Sequence, residues 1–332
     1  MAEQELKVPS IEIRNYRLFE HLKIERFARV NLIVGDNNTG KTALLEAIRL
    51  VCSGSRVLPQ VVAAMLHARD EFESAPAPRF VASIFHDPDS KEGAAISLPS
   101  APLRIQRVEA ALAGDKRMIT VHRVNPGGVT PGSQEYSSSP DAWLIDGAPI
   151  QIPPGGLSRH QLASLWDRIS LTSLEDEVLS AFDFFRPKIV RVSVRASESG
   201  IGRVAVARLE GRDTPVPMRL LGDGVNRLFG LALALVYSKN GVLLIDEIEN
   251  GLHHSVQEEV WRFLVKNAQE MNVQIFATTH SSDALFAFQR ATEDKPDLAT
   301  LIRLAVRKGK VLVGQFGAEE LKFAVEQEFE VR

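Results

Sequence analysis

The chain has 332 residues, enough for about two domains or one large α/β domain with insertions. Its 39 Lys+Arg against 42 Asp+Glu give a formal charge of −3, which excludes a wholesale polycation but leaves room for a local basic groove. Apolar residues at 45% and charged residues at 24% exclude a disordered chain, and the single cysteine, Cys52, excludes an intrachain disulfide and a cysteine-rich zinc site.

In chain order, the N-terminus MAEQELKVPS is polar and has no signal-peptide core. Ser10 to Phe19 and Leu22 to Phe27 read as two strands turning at Glu20-His21. Val30 to Val34 is a short apolar run ending in Gly35, the pattern of a buried strand before a turn. Leu44, Leu45, Ile48 and Val51 recur at helical spacing, and Gly54 stops that helix. Val61 to Phe72 reads as a second helix. Arg79 to His86, Ala94 to Leu98, Leu103 to Ala111 and Met118 to Val124 alternate like strands, with a turn at Gly114-Asp115. Residues 125–156 are rich in Pro, Gly and Ser and read as a long surface loop, or a segment ordered by a partner.

Helical patterns follow at 157–169 and 171–185. Ile189 to Arg195 and Arg203 to Glu210 form a second hairpin around Glu198-Ser199-Gly200. Beyond Leu220 the pattern turns α/β: helix Val225 to Tyr237, strand Val242 to Ile245, helix Val256 to Asn267, strand Val273 to Ala277, helix Ser282 to Gln289. A hairpin turning at Lys308-Gly309 and a helix from Ala318 close the chain. The longest apolar run, Leu228 to Tyr237, is too short to span a bilayer, so no membrane partner and a cytoplasmic setting are expected.

Gly35-Asp36-Asn37-Asn38-Thr39-Gly40-Lys41-Thr42 fits G-x-x-x-x-G-K-[ST] without mismatch. Glycines let consecutive backbone N–H groups converge on an anion, and the following helix adds the positive end of its dipole. Gly35, Asn37, Asn38, Thr39, Gly40, Lys41, Thr42 and Ala43 are thus the expected phosphate cradle. Lys41 would reach the β- and γ-phosphates of ATP, and Thr42 would ligate Mg²⁺. The run Val242-Leu243-Leu244-Ile245-Asp246-Glu247 is a Walker B pattern. Asp246 would hold Mg²⁺, and Glu247 would orient or deprotonate the attacking water.

Leu221-Gly222-Asp223-Gly224-Val225-Asn226-Arg227 opens an apolar helix and resembles the signature motif of ABC-type ATPases, the class that includes SMC, RecF and OLD proteins. The resemblance implies that this motif in one subunit caps the γ-phosphate held by another, through backbone N–H at Gly222 and Gly224. Gly222 stands where many relatives carry serine, so a serine contact is absent. Ala277-Thr278-Thr279-His280-Ser281 resembles the switch-histidine loop, with His280 on the γ-phosphate or the attacking water. Order supports the likeness: Asp246 falls 22 residues after Gly224, and His280 falls 33 after Glu247. Glu249-Asn250-Gly251-Leu252-His253-His254 falls where the class has its D-loop, and the two histidines read as structural or interface residues rather than metal ligands. Tyr16 and Arg17 lie where the class often packs adenine. Gln60, Gln106 and Gln134 all remain open for the Q-loop glutamine.

Lys41 and Asp246 are 205 residues apart, a wider gap than AAA+ proteins and small GTPases show, and no N/T-K-x-D motif follows the phosphate loop. There is no room and no heptad pattern for an SMC coiled coil. What remains is similar to the stand-alone AAA-type ATPases of the ABC superfamily, related to the ATPase half of OLD proteins. The implied fold is an α/β P-loop NTPase of ABC-ATPase type, with a mixed or parallel core sheet, an antiparallel β subdomain and a short helical lobe insertion. Residues 1–55 and 215–332 would form the ATPase domain, and 56–214 the insertion, with a flexible loop near 125–156. The 52 residues after His280 contain no D-x-D and are too few for a TOPRIM nuclease.

The implied function is ATP hydrolysis in an ATP-sandwich homodimer. Its use would be in anti-phage defence or nucleic-acid surveillance, with a separately encoded effector. The alternative is a RecF- or SMC-like DNA-repair ATPase, with nucleic acid as partner. Arg191, Arg195, Arg203, Arg208 and Arg212 could line a basic face, although a solvated strand face is the simpler reading.

Overall fold

The computed structural model describes residues 5–69, 79–100, 102–113, 116–125, 128–136, 144–197, 202–317 and 320. The predicted turns at 114–115 and 198–200, part of the 125–156 segment and nearly all of the predicted C-terminal helix lie outside these residues.

The N-terminal third contains β1 (Ile11–Tyr16), β2 (Phe19–Ile24), β3 (Val30–Val34), α1 (Lys41–Cys52) and α2 (Leu58–Ala68). Then come β4 (Arg79–Phe80), β5 (Ala94–Ser97), β6 (Pro102–Ala113), β7 (Lys116–Asn125), β8 (Gly128–Tyr136) and β9 (Ile150–Ile152). The middle holds α3 (Arg159–Ile169), α4 (Leu174–Ser180), β10 (Ile189–Ala196), β11 (Arg203–Leu209) and β12 (Val216–Pro217). The chain continues with α5 (Asp223–Tyr237), β13 (Val242–Ile245), α6 (His254–Glu270), β14 (Gln274–Thr279), α7 (Ser282–Thr292), β15 (Ala299–Arg307) and β16 (Lys310–Phe316).

The central sheet runs β16-β15-β3-β14-β13-β9. All its pairings are parallel except β15 with β16. Its inner strands are buried on both faces, which explains their largely apolar runs, with Asn31 in β3 and Gln274 in β14 as buried polar exceptions. Successive side chains serve opposite layers. Leu243, Ile245, Ile275 and Ala277 pack with α3, α5, α6 and α7. Val242, Leu244, Phe276 and Ile33 pack with α1, α2 and the antiparallel sheet β2-β1-β5-β6-β7-β8. Helix α1, which starts at the phosphate loop, is therefore held between two sheets. A third sheet, β10-β11-β12, packs on α3 and α4, with Val192, Val194 and Leu209 in the shared core.

Four expectations need correction. The first hairpin turns at Arg17-Leu18, with Tyr16 opposite Phe19, and not at Glu20-His21. Phe19 is 1% exposed and belongs to the core, so the strand must begin there. The segment 125–156 is not one loop: 128–136 pair with β7 as β8, and 150–152 join the central sheet beside β13. Pro131 disguises β8, but β8 is an edge strand, where proline is tolerated. The run 79–86 is a strand only at Arg79–Phe80 and then bends through a 3₁₀ turn at Ala82–Ile84. The second helix begins earlier than expected, at Leu58, where Pro59 suits a first-turn position.

Candidate active site

Three neighbouring parallel strands deliver their loops to one edge of the central sheet. β3 ends before Gly35, β13 before Asp246 and β14 before His280, with β14 between the other two. Ligands collect outside the carboxyl ends of such strands.

The phosphate loop depends on its two glycines. Gly35 has φ 149°, and a Cβ there would lie 2.2 Å from the Leu304 carbonyl oxygen. Gly40 has φ 97°, and a Cβ there would lie 2.8 Å from the Phe19 ring. Asn38 is also left-handed, at φ 62°, a conformation asparagine tolerates. Helix α1 starts directly after Gly40, so its free N–H groups open onto the loop. Lys41 is buried, and its Nζ donates to the carbonyls of Gly35 at 2.6 Å and Asp36 at 2.9 Å. Burial lowers its pKa, while Asp246, Glu247, Asp36 and Glu249 act in the opposite direction.

A line of hydrogen bonds links the other two strands to this loop. The Thr42 hydroxyl donates to Asp246 Oδ2 at 2.8 Å, and the Thr278 hydroxyl donates to Asp246 Oδ1 at 2.5 Å. Thr278 Oγ1 also accepts the Glu247 amide at 2.9 Å. The Asp246 amide donates to Ile152 O at 2.9 Å, so β9 braces the strand end from the side. Glu247 adopts φ 48°, an uncommon value for a side chain of its size. Its Oε2 accepts from Asn250 Nδ2 at 2.5 Å, and its Oε1 lies 3.8 Å from His280 Nδ1. Glu249 holds His280 twice, with Oε1 3.2 Å from Nδ1 and 3.1 Å from the His280 amide. Hydroxyl and carboxylate oxygens at this spacing are the hard donors Mg²⁺ takes when its other ligands are water and phosphate.

Several supporting residues escaped the sequence reading. Arg227 on α5 is buried and donates to the carbonyls of Glu247 at 3.0 Å, Asp246 at 3.3 Å and Pro153 at 3.0 Å. Burial pushes its pKa down to about 10, so it remains a cation at neutral pH. Thr278, Asn250 and Glu249 were visible only as members of their motifs. Gly222 and Asp223 are exposed at the start of α5, and a Cβ on Gly224 would lie 3.1 Å from Gly251 O. The signature and the loop after β13 are thus neighbours within one chain. His253 caps α6 by accepting the Ser255 amide, and its ring lies 4.1 Å from that of His254.

Tyr16 does not face a ligand. It is fully buried, and burial raises its pKa. The Arg17 side chain is buried too, 3.3 Å from Glu46 of α1. The exposed residue of that turn is Leu18, beside Gly40. Gln60 lies on α2, Gln106 on β6 and Gln134 on β8, and the Q-loop position stays unassigned. Among the described residues Arg191, Arg195 and Arg208 are exposed on β10 and β11 and form no ion pair, whereas Arg203 pairs with Asp167.

Thr278→Val is expected to keep the fold and lower turnover by about 10- to 100-fold, because one hydroxyl orients both Asp246 and the Glu247 backbone. ATPase rate measured alongside a thermal melt checks this. Turnover within twofold of wild type would show that Asp246 and Glu247 hold their places without it.

Two family profiles match: "AAA domain, putative AbiEii toxin, Type IV TA system" over residues 144–287, and "AAA ATPase domain" over residues 6–108. A Helicobacter pylori protein described as an ATP/GTP phosphatase is 22% identical over 379 residues, covering 97% of this chain and 98% of that one. Among solved structures, an SMC head bound to the C-winged helix domain of ScpA superposes with TM-score 0.55 at 14% identity, covering 95% of this chain and 99% of the other. A Pyrococcus furiosus SMC head with an extended coiled coil gives 0.54 at 13% identity, covering 97% and 99%. The structural likenesses establish the fold.

Proposed function

We propose that this chain, which matches AAA-type ATPase profiles over residues 6–108 and 144–287 and has the fold of an SMC head, hydrolyses ATP with Mg²⁺ as a head-to-head homodimer. The observation that carries the reading is the unbroken hydrogen-bonded line from Thr42 through Asp246 and Thr278 to Glu247. It joins the residue that follows the phosphate-loop lysine to the acid that suits a general base.

In this reading the loop amides and Lys41 bind the β- and γ-phosphates, and Thr42 and Asp246 hold Mg²⁺. The ion supplies charge neutralisation on the phosphate oxygens. Glu247 is 31% exposed, accessible enough to take a proton from an attacking water. His280, held by Glu249, faces the same space. The Gly222-Asp223-Gly224 tip at the N-terminus of α5, exposed at Gly222 and Asp223, is suited to an anion, and a second copy would present it to the γ-phosphate. The interface would be isologous, with the same two patches meeting twice.

Mixing two inactive variants tests this arrangement. Lys41→Ala removes the phosphate-loop cation, and Gly224→Asp places a carboxylate against the γ-phosphate. Each alone is expected to be inactive. An equimolar mixture should recover about a quarter of wild-type turnover, because half the dimers are mixed and each mixed dimer has one intact composite site. No recovery from two folded proteins would refute shared sites.

The biological setting we propose is defence or surveillance alongside a separately encoded effector such as a nuclease. The toxin–antitoxin description of the profile matching 144–287 supports it. The unpaired Arg191, Arg195 and Arg208 favour a second reading, in which the ATP-bound dimer holds nucleic acid for repair. Salt-sensitive, DNA-stimulated turnover without a partner protein would select the second reading, and co-purification of a defined effector the first.

A further inference from the structure

The side of the phosphate loop is walled by a turn that has its own buried anchor. Arg17 and Leu18 connect β1 to β2, and Arg17 sits in the left-handed region at φ 52°. Phe19 and Leu18 press on Gly40: a Cβ there would lie 2.8 Å from the Phe19 ring and 3.5 Å from Leu18 Cδ2. Leu18 is 37% exposed, one of the few large apolar side chains open to solvent among the described residues. A nucleotide whose phosphates occupy the loop must project its base beyond it, and Leu18 is an exposed apolar group beside Gly40 on this border.

The turn is held by charge. Glu46, on α1 little more than a turn past Lys41, is 4% exposed at its side chain. Its Oε2 lies 3.3 Å from Arg17 Nε, and its Oε1 lies 2.6 Å from Arg69 Nε just past the end of α2. The Arg17 side chain is 6% exposed and donates to Ser83 O at 3.1 Å, while its backbone amide donates to Ile84 O at 2.9 Å. One carboxylate on the phosphate-loop helix thereby ties together the turn and α2. A buried pair is a poor way to gain stability, since desolvation offsets much of its attraction. It is a good way to set a turn at one height.

We propose that Glu46 is a positioning residue for the nucleotide base: acting through Arg17, it fixes the Arg17-Leu18 turn so that Leu18 forms an apolar platform beside the phosphate loop. This rests on the reading that the loop holds a nucleoside triphosphate. A merely structural role would weaken all ligands of the loop together, whereas a base platform matters only to ligands that have a base.

The test compares ATP with inorganic tripolyphosphate, each titrated with Mg²⁺ into the full chain. In Glu46→Gln, ATP affinity is expected to fall about tenfold, the scale of losing contact with some 50 Å² of apolar surface, and tripolyphosphate affinity to stay within twofold. Leu18→Ala, at an exposed position, should show the same split. If Glu46→Gln leaves Arg17 orphaned and fails to fold, the double variant Arg17→Met/Glu46→Met removes both charges together and should show it instead. Equal losses for both ligands, or unchanged ATP affinity in a folded variant, would overturn the proposal. Failure of wild type to bind either ligand would instead refute the nucleotide reading beneath it.

Discussion

Lys41→Ala is expected to raise the dissociation constant for ATP by about 100-fold or more while leaving the protein folded. The ammonium is bound by two backbone carbonyls, at 2.6 and 2.9 Å, and by no ion-pair partner within 4.0 Å among the described residues. Its removal therefore breaks no close ion pair, and of the two carbonyls it leaves, that of Asp36 lies on an exposed residue and that of Gly35 is buried. In the nucleotide complex the same ammonium would trade these neutral acceptors for phosphate oxygens, and charge-assisted bonds are about twice as strong as neutral ones. Two such bonds at roughly 1.5–3 kcal/mol each account for the expected loss. Calorimetric titration of ATP, with a melt as control, decides the matter. An unchanged affinity would mean that the loop amides alone hold the phosphates.

Glu247→Gln is expected to separate binding from chemistry. The substitution keeps the length of the side chain, can keep the acceptor that Asn250 uses at 2.5 Å, and leaves the Thr278 bond to the backbone intact. Only the proton-accepting charge is lost. ATP should bind with near wild-type affinity, turnover should fall by roughly 10²- to 10⁴-fold, and dimer should accumulate in the presence of ATP. Single-turnover kinetics with light scattering on the same sample measure all three. A variant that turns over normally would remove Glu247 as the base and shift attention to a water positioned by His280.

The parts of this site that were legible in the sequence are those whose geometry is set within a few residues. The phosphate loop needs glycine at positions 35 and 40 because of φ values of 149° and 97° in the turn between its own strand and helix, and the close approaches of Leu304 and Phe19 only add to that need. The acidic pair follows its strand directly. What was not legible arises from convergence across long separations. Thr278 became a hub only when β14 was placed between β3 and β13. Arg227 reads only as the last residue of the signature-like motif until α5 is seen to bring it to the carbonyls of Asp246 and Glu247. Ile150 to Ile152, three residues between proline-flanked turns, carry too little periodic signal to announce a core strand, yet their carbonyls set the end of β13. Tyr16 was placed near adenine by the position of its hairpin in the class alone, and hairpin position does not say whether a ring turns outward or, as here, into the core.

The bend at Glu247 bears on how saturation mutagenesis there should be interpreted. Its backbone lies at φ 48°, so substitutions will rank along two overlapping scales. Asparagine, aspartate and glycine accept that geometry, whereas valine and isoleucine resist it and would push the chain out of the turn. A dead valine mutant would therefore report a dislocated main chain as much as a missing proton acceptor. Only isosteres compatible with the bend can speak to the chemistry.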